Sequence, residues 1–573
     1  MKPVRLPAAA TIALPRWGVI ALCLLYILPG LVRRDPWKAE DAAGFGIMWT
    51  MAHGGLQDWL APNIVGMPMP AEGPLTFWIG AIFIWLFGWL LDDALASRLS
   101  IIAFFAIGAA SVWHAAFRLG RRAEAQPLRL AFGGQPAPDD YGRTLADGAL
   151  LIYLASLGLL LQAHQTSAEA LLVSLVAAAL FAGIRLFEKQ NLASGALLGM
   201  VLGALVLTRG WTVPAALLVV FLGLAASWRR QLLKPLLLTT LPLFLLLPGL
   251  WFAAVAALLS PAESPIPAWM AWNRAQLALP SDASLRYLLR YGIWFTWPAW
   301  PFAAWAVYAW RKQTQALHII LPLAFVVASL LLVLSNPHPE EASLLPFLPP
   351  LAILAAFGLP TMKRGAINAV DWFAVMTLST CAAFIWMGWI AKQTGWPAQL
   401  ARNAFKLAPG FQPEFSFAAF SMAAAATLGW LLLVYWRLSR QPSVLWRAVV
   451  LSSGGVILCW LLLMTLWLPW LNYGKSYAGV ATQIAHHLPA SHACVISNVG
   501  PAQRASFAYF GDIRFAPVNS KENCPYLLLQ GHASDPAPKT LRHYNSQNWQ
   551  LLWEGRRPSD RHERFRLYER VAE

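Results

Sequence analysis

PLTFWIGAIFIWLFGWLL, residues 74–91, is apolar from end to end and long enough to cross a bilayer. Whether it crosses decides the sidedness of everything that follows it. The next basic cluster runs from Arg118 to Arg143 and includes Arg121, Arg122 and Arg129. Loops on the cytoplasmic side carry an excess of Lys and Arg. Counting 74–91 as a span would place this cluster outside, so the run is read as a helix lying in or dipping into the outer interface.

Working outward from that choice, the chain threads consistently. Basic clusters recur at the N-terminal tail (Lys2, Arg5, Arg16), Arg185/Lys189, Arg229/Arg230/Lys234, Arg311/Lys312, Lys363/Arg364 and Arg437/Arg440/Arg447, and successive clusters enclose pairs of apolar runs. The expected spans are 17–32, 94–117, 146–163, 169–187, 192–208, 211–227, 235–258, 287–309, 316–335, 344–360, 369–391, 417–436 and 448–470. They number about 13, which puts the two termini on opposite sides of the membrane. The first, Trp17 to Val32, leads into Arg33-Arg34-Asp35 without a small-residue cleavage site and reads as a retained signal anchor.

Composition agrees. Of 573 residues, 58% are hydrophobic and only 12% charged, against about 25% charged in a soluble domain. The net charge of +16 is distributed as short clusters between apolar runs. That pattern is a topology signal rather than a nucleic-acid footprint, and no nucleic-acid partner is expected. The predicted fold is an α-helical polytopic membrane protein: residues 1–470 form the transmembrane domain, with an outer loop 33–93 carrying interfacial helices, and 471–573 form a small outer α/β domain. Within the latter, a helix is expected over Lys475–His487 and strands over Ala493–Ile496 and Tyr526–Leu529. Cys494 and Cys524 both fall there, and form a disulfide if that side is oxidising.

The outer loop holds the most informative residues: the adjacent acids Glu40 and Asp41, then Asp58-Trp59-Leu60-Ala61-Pro62, then Glu72-Gly73-Pro74-Leu75. Carboxylates at a membrane surface can accept a proton from a hydroxyl or amine, although charges beside a span also serve simply to solvate a loop. In order along the chain, the acidic pair, "DWLAP" and "GPLTFW" resemble the first outer loop of the polyprenyl-phosphate-dependent type C glycosyltransferases. The branch resembled holds the aminoarabinose transferases of lipid A and the protein O-mannosyltransferases. "HQTSAEALLVSLVAAALF" resembles that family's second outer loop, with Glu169 matching its second acid. "LGMVLGALVLTRGWTVPAAL" resembles its "LTKG" step with Arg209 in place of lysine, and "YGIWFTWPAWP" and "LSNPHPEEASLLPFLPPLAILAAFG" resemble its Trp-Pro and Leu-Pro-rich spans. The resemblance covers most of residues 30–360. It departs from the family at the acidic pair, usually Asp-Glu but here Glu40-Asp41, and at Glu72, where the family often has a lysine that contacts the leaving phosphate.

The resemblance implies an inner-membrane glycosyltransferase of a bacterium, with its N-terminus cytoplasmic and its C-terminal domain periplasmic. Such an enzyme would take a sugar from a polyprenyl (undecaprenyl) phosphate donor to a periplasmic acceptor: lipid A, another envelope lipid or glycan, or a protein. Glu40, Asp41 and Glu169 are the catalytic candidates, and Arg209, Arg274, Arg286, Arg290 and His338 are the candidate phosphate ligands. Each of these cations serves equally well as an interfacial anchor. No cofactor signature is present, although the three carboxylates would suit a divalent cation if they converged. The competing reading is a polytopic lipid or sugar transporter or flippase, which would place its polar residues near the bilayer middle. Here the acids concentrate in outer loops.

Overall fold

The computed structural model describes residues 4–129, 133–439, 445–489, 494–518, 523–532 and 549–571. Lys2, Arg440 and Ala493 lie outside these. Among the described residues, nine helices are long and apolar enough to cross a membrane, and each coincides with an expected span.

The other four expected spans are helical but short or interrupted. The first is the Arg16–Ile27 helix of 12 residues, and 211–227 is the Thr212–Trp228 helix of 17 residues. The 146–163 span divides into Pro138–Ala155 and Leu157–Gln162, with extended Ser156 between them. The 287–309 span divides at Trp297-Pro298, before the Ala299–Ala309 helix, where a proline has no N–H to continue the ladder. The two interruptions answer one another: the Leu157 N–H donates to the Trp297 carbonyl at 3.0 Å. Backbone freed within a bilayer needs such an internal partner, so each break supplies what the other lacks.

Residues 74–91 form the Leu75–Phe87 helix of 13 residues. At 1.5 Å per residue it is roughly 20 Å long, about the length of the Arg16–Ile27 helix of the first expected span. Phe77, Ala81 and Ile84 pack with Met48 and Met51 of the Glu40–His53 helix in a separate apolar cluster. Trp85 and Trp89 are left 75% and 81% exposed, the aromatic face expected of an interfacial element.

The C-terminal residues build a sheet of order β1-β2-β4-β3 from β1 (Val495–Ser497), β2 (Tyr526–His532), β3 (Trp549–Gly555) and β4 (Glu563–Arg570). β1 and β2 are parallel and the other pairs antiparallel. The Ala478–His486 and Pro501–Gly511 helices cover one face, burying Val480, Ile484 and Phe507 against Leu528, Phe565 and Leu567. Cys494 and Cys524 are disulfide-bonded, with Cα atoms 5.2 Å apart.

This small domain is joined to the outer loop by the Val518 N–H to Gly66 carbonyl bond, the Lys38–Asp560 pair and, most extensively, one side chain. Arg504 is fully buried and donates to the carbonyls of Ile64 (3.1 Å), Val65 (2.6 Å) and Ala516 (2.6 Å) and to the Ser497 hydroxyl (3.2 Å). Ile64 and Val65 belong to the turn of a two-stranded ribbon, Asn63–Ile64 with Met67–Pro68, that follows the helix headed by Glu40. The domain therefore holds the loop that carries the acidic residues.

Candidate active site

The two neighbouring acids open the Glu40–His53 helix, and its first turn sends them in different directions. Asp41 points inward. Its Oδ2 lies 3.2 Å from Arg34 Nη2 and 3.6 Å from Arg98 Nη2 and accepts from the Trp37 N–H at 3.1 Å, while Oδ1 accepts from the Thr166 N–H at 2.9 Å and its hydroxyl at 3.0 Å. Burial would raise this carboxyl, but Arg34, Arg98 and the two backbone N–H groups hold it below the ordinary carboxylate range. Arg34 also donates to the His164 carbonyl and Arg98 to the Arg34 carbonyl. One carboxylate thus ties three segments together: the end of the first span, the Asp93–Arg121 helix and the 164–166 turn.

Glu40 is exposed and makes no hydrogen bond or salt bridge among the described residues. Its charge acts on Glu72, which lies beside Arg209, the last residue of the Leu192–Arg209 helix. Arg209 Nη1 pairs with buried Glu169, at the start of the Ala168–Lys189 helix, and Nη2 lies 3.2 Å from Glu340, whose side chain is 71% exposed. Gly210 ends the Arg209 helix at φ 135°, and a Cβ there would collide with the Asn273 side-chain oxygen. That oxygen accepts the Trp211 N–H at 3.0 Å, so the glycine lets the 266–275 helix close against the chain beside Arg209.

Glu72 completes the group. The Gly73 N–H donates to the Thr208 carbonyl at 3.1 Å, which seats Glu72 beside Arg209 with one carboxylate oxygen enclosed and unpartnered. Burial, together with the negative charges of Glu40 and Glu340 and against the pull of Arg209, raises this carboxyl above its ordinary range. A raised carboxylate costs stability as pH climbs past the unfolded value of 4.5, and the full cost is reached above the folded value. Glu72→Gln is therefore expected to raise the thermal unfolding midpoint at about pH 8, with the gain disappearing by about pH 4. Tryptophan fluorescence across a pH series reads this directly; a lower midpoint at the higher pH would contradict it.

Arg209 and Glu340 line a cleft of about 690 Å³, including its open side, with Trp272, Gln276, Asn336 and Ser343. The Arg209 guanidinium stands 6.0 Å from the Trp272 ring, and the Asn336 amide donates to Gln276 at 2.8 Å. An aromatic face with amide and guanidinium donors suits a sugar and a phosphate.

Of the five cations expected to hold phosphate, Arg209 alone lines this cleft. Arg274, Arg286, Arg290 and His338 are exposed around it: Arg286 Nε donates to the Asp282 carbonyl at 3.3 Å, Arg290 lies 5.3 Å from the Tyr291 ring, and the His338 N–H donates to Asn336 at 3.0 Å. Nor do the three expected carboxylates converge as a cation site would need. Asp41 is held by two arginines and Glu169 by a third, and among the described residues no group of three or more His, Cys, Asp or Glu side chains is arranged to hold a metal. Sequence reasoning passed over Arg98 and Glu340. An arginine near the start of a span is itself a signal that a buried partner exists, whereas nothing in the local sequence around Glu340 points to Arg209.

No protein-family model matches the chain, and no curated protein matches its sequence. Among solved structures, ArnT from Cupriavidus metallidurans in the apo state superposes with a TM-score of 0.64 at 16% identity, over 96% of this chain and 97% of that one. The same protein bound to undecaprenyl phosphate gives 0.65 at 15% identity, with the same coverage. At such identities the likeness is one of fold, and its near-complete coverage includes both the helical bundle and the C-terminal sheet. The chain is thus a polytopic helical membrane protein with the type C glycosyltransferase fold, the architecture that its scattered motifs resemble.

Proposed function

We propose that this chain is a glycosyltransferase that moves a sugar from a polyprenyl-phosphate donor to an acceptor at the outer face of a bacterial inner membrane, with Glu40 as the base. The observation that carries the reading is the division of labour within the acidic pair: Asp41 is saturated by two arginines, while Glu40 is exposed, forms no salt bridge among the described residues, and exerts its charge on Glu72, the neighbour of Arg209. In the reaction, the acceptor hydroxyl or amine attacks the anomeric carbon, Glu40 takes its proton, and the bond from that carbon to the phosphate oxygen breaks with its electron pair leaving on the polyprenyl phosphate. Arg209 is the phosphate ligand best placed to stabilise the leaving group. The donor phosphate displaces exposed Glu340 from Arg209, while buried Glu169 keeps the guanidinium aimed at the cleft.

Support also comes from the shared fold with ArnT, a protein whose crystal structure holds undecaprenyl phosphate, and from the Cys494–Cys524 disulfide, which suits a periplasmic C-terminal domain. The two interrupted spans, the feature that would favour a transporter, are joined by the hydrogen bond from the Leu157 N–H to the Trp297 carbonyl. The deciding experiment is mass analysis of envelope lipids, glycans and proteins from cells with and without the chain. One component is expected to lose a sugar without it and to regain the sugar on complementation by the wild type but not by Glu40→Gln. An envelope unchanged in every fraction would overturn the assignment.

A further inference from the structure

A large groove, sharing no lining residue with the Arg209 cleft, lies along the first span. It runs between the Arg16–Ile27, Asp93–Arg121 and Pro138–Ala155 helices and encloses about 1450 Å³, including its open side. Its walls are apolar, with Ile20, Leu24, Ile102, Ala106, Ala110 and Leu150 among the lining residues. Ile20 and Leu24 are 59% and 44% exposed, so the open side presents hydrocarbon to the exterior of the bundle.

One end of the groove is polar, lined by Arg16, Arg143, His114 and Asp147. Arg16 starts its helix and Arg143 lies in the opening turns of its own, at the end of the bundle away from Glu40. Both are exposed and neither forms a salt bridge among the described residues. Asp147 moderates the positive charge there and attracts Arg143, but its oxygens are already taken by the Leu14 N–H at 2.8 Å and the Trp113 indole N–H at 2.9 Å. Two guanidinium groups therefore remain with unfilled donors where the groove meets the interface.

The dimensions name the class of occupant. From Arg16 to Ile27, and from Ile102 to His114, the walls rise roughly 16–18 Å at 1.5 Å per residue. That is close to half of the roughly 30 Å hydrocarbon core, so the groove spans a single leaflet. We propose that it holds one anionic diacyl phospholipid of the leaflet opposite the carboxylate site, with its chains along the apolar walls and its phosphate between Arg16 and Arg143. Forked guanidinium donors suit a phosphate, and basic pockets between spans on this side are the kind that select anionic headgroups. The site is separate from the proposed reaction and does not depend on it.

The test is native mass spectrometry of the full-length protein in detergent with added phosphatidylglycerol or phosphatidylethanolamine. The wild type is expected to retain phosphatidylglycerol about tenfold more than phosphatidylethanolamine, a difference of about 1.4 kcal/mol. Arg16→Gln with Arg143→Gln should reduce retention to the phosphatidylethanolamine level, while Arg16→Lys with Arg143→Lys should keep most of the preference. Ala106→Trp, which fills the groove and leaves its charges alone, should abolish retention of both lipids. Equal retention of the two lipids by the wild type, or undiminished phosphatidylglycerol on either the Gln pair or Ala106→Trp, overturns the proposal. The wild-type comparison decides even if a variant fails to fold.

Discussion

Glu40→Gln is expected to lower sugar transfer by roughly 10²–10⁴-fold, the usual contribution of a positioned general base, while the thermal unfolding profile stays that of the wild type. The reason lies in what the side chain touches. Glu40 is exposed at the head of its helix and makes no hydrogen bond or salt bridge among the described residues, so the neutral isostere removes no folding contact. Its charge raises Glu72, and losing it should ease that neighbour slightly rather than harm it. The measurement is turnover of a polyprenyl-phosphate sugar by purified protein alongside an unfolding scan. A variant that retains full turnover removes Glu40 from the mechanism, and one that loses activity together with its fold leaves it no catalytic role.

The adjacent substitution should behave in the opposite way. Asp41→Asn leaves Arg34 and Arg98 buried with no anion between them. Breaking a buried pair from one side typically costs about 3–5 kcal/mol, because a charge remains that water cannot reach. The expected outcome is a large fall in the unfolding midpoint and reduced yield from the membrane. Activity should fall only in proportion to the folded fraction. Adding Arg98→Met should recover part of the lost stability, since the double change removes one orphaned cation along with its partner. Additive losses in the double variant would show that Asp41 does not act through Arg98. The same linkage predicts that the Asp41 contribution is present above its unfolded value of 3.8 and is lost as pH falls through its lower folded value.

These two residues also show how far the chain could be read before its structure. Adjacent acids just beyond a span are visible at once, and the family resemblance marks them as a catalytic pair. Their order, Glu40 then Asp41, left open which one acts. Successive residues on a helix are about 100° apart, so Asp41 turns into the bundle while Glu40 stays exposed. The partners that decide between them, Arg34, Arg98 and Thr166, come from three separate stretches of chain. Likewise Arg209 could be singled out by its motif, but not its selection over Arg274, Arg286, Arg290 and His338, since all five are cations near the same face.

By itself the sequence determined the helical membrane architecture and, in the C-terminal domain, one helix and two strands, found at Ala478–His486, Val495–Ser497 and Tyr526–His532, but not the Pro501–Gly511 helix or the Trp549–Gly555 and Glu563–Arg570 strands. Those properties follow from local hydropathy, from charge asymmetry between loops and from turn chemistry, all of which are summed along the chain. Only the tertiary structure decided that Asp41 is a brace, that Glu72 and Glu340 join the Arg209 cluster, and that Arg504 fixes the outer loop to the C-terminal domain. It also decided that the interruptions at Ser156 and Pro298 meet. Each of these depends on pairing between residues far apart in the chain. The free energy of a buried charge or backbone group is set by the partner that reaches it, which no local pattern specifies.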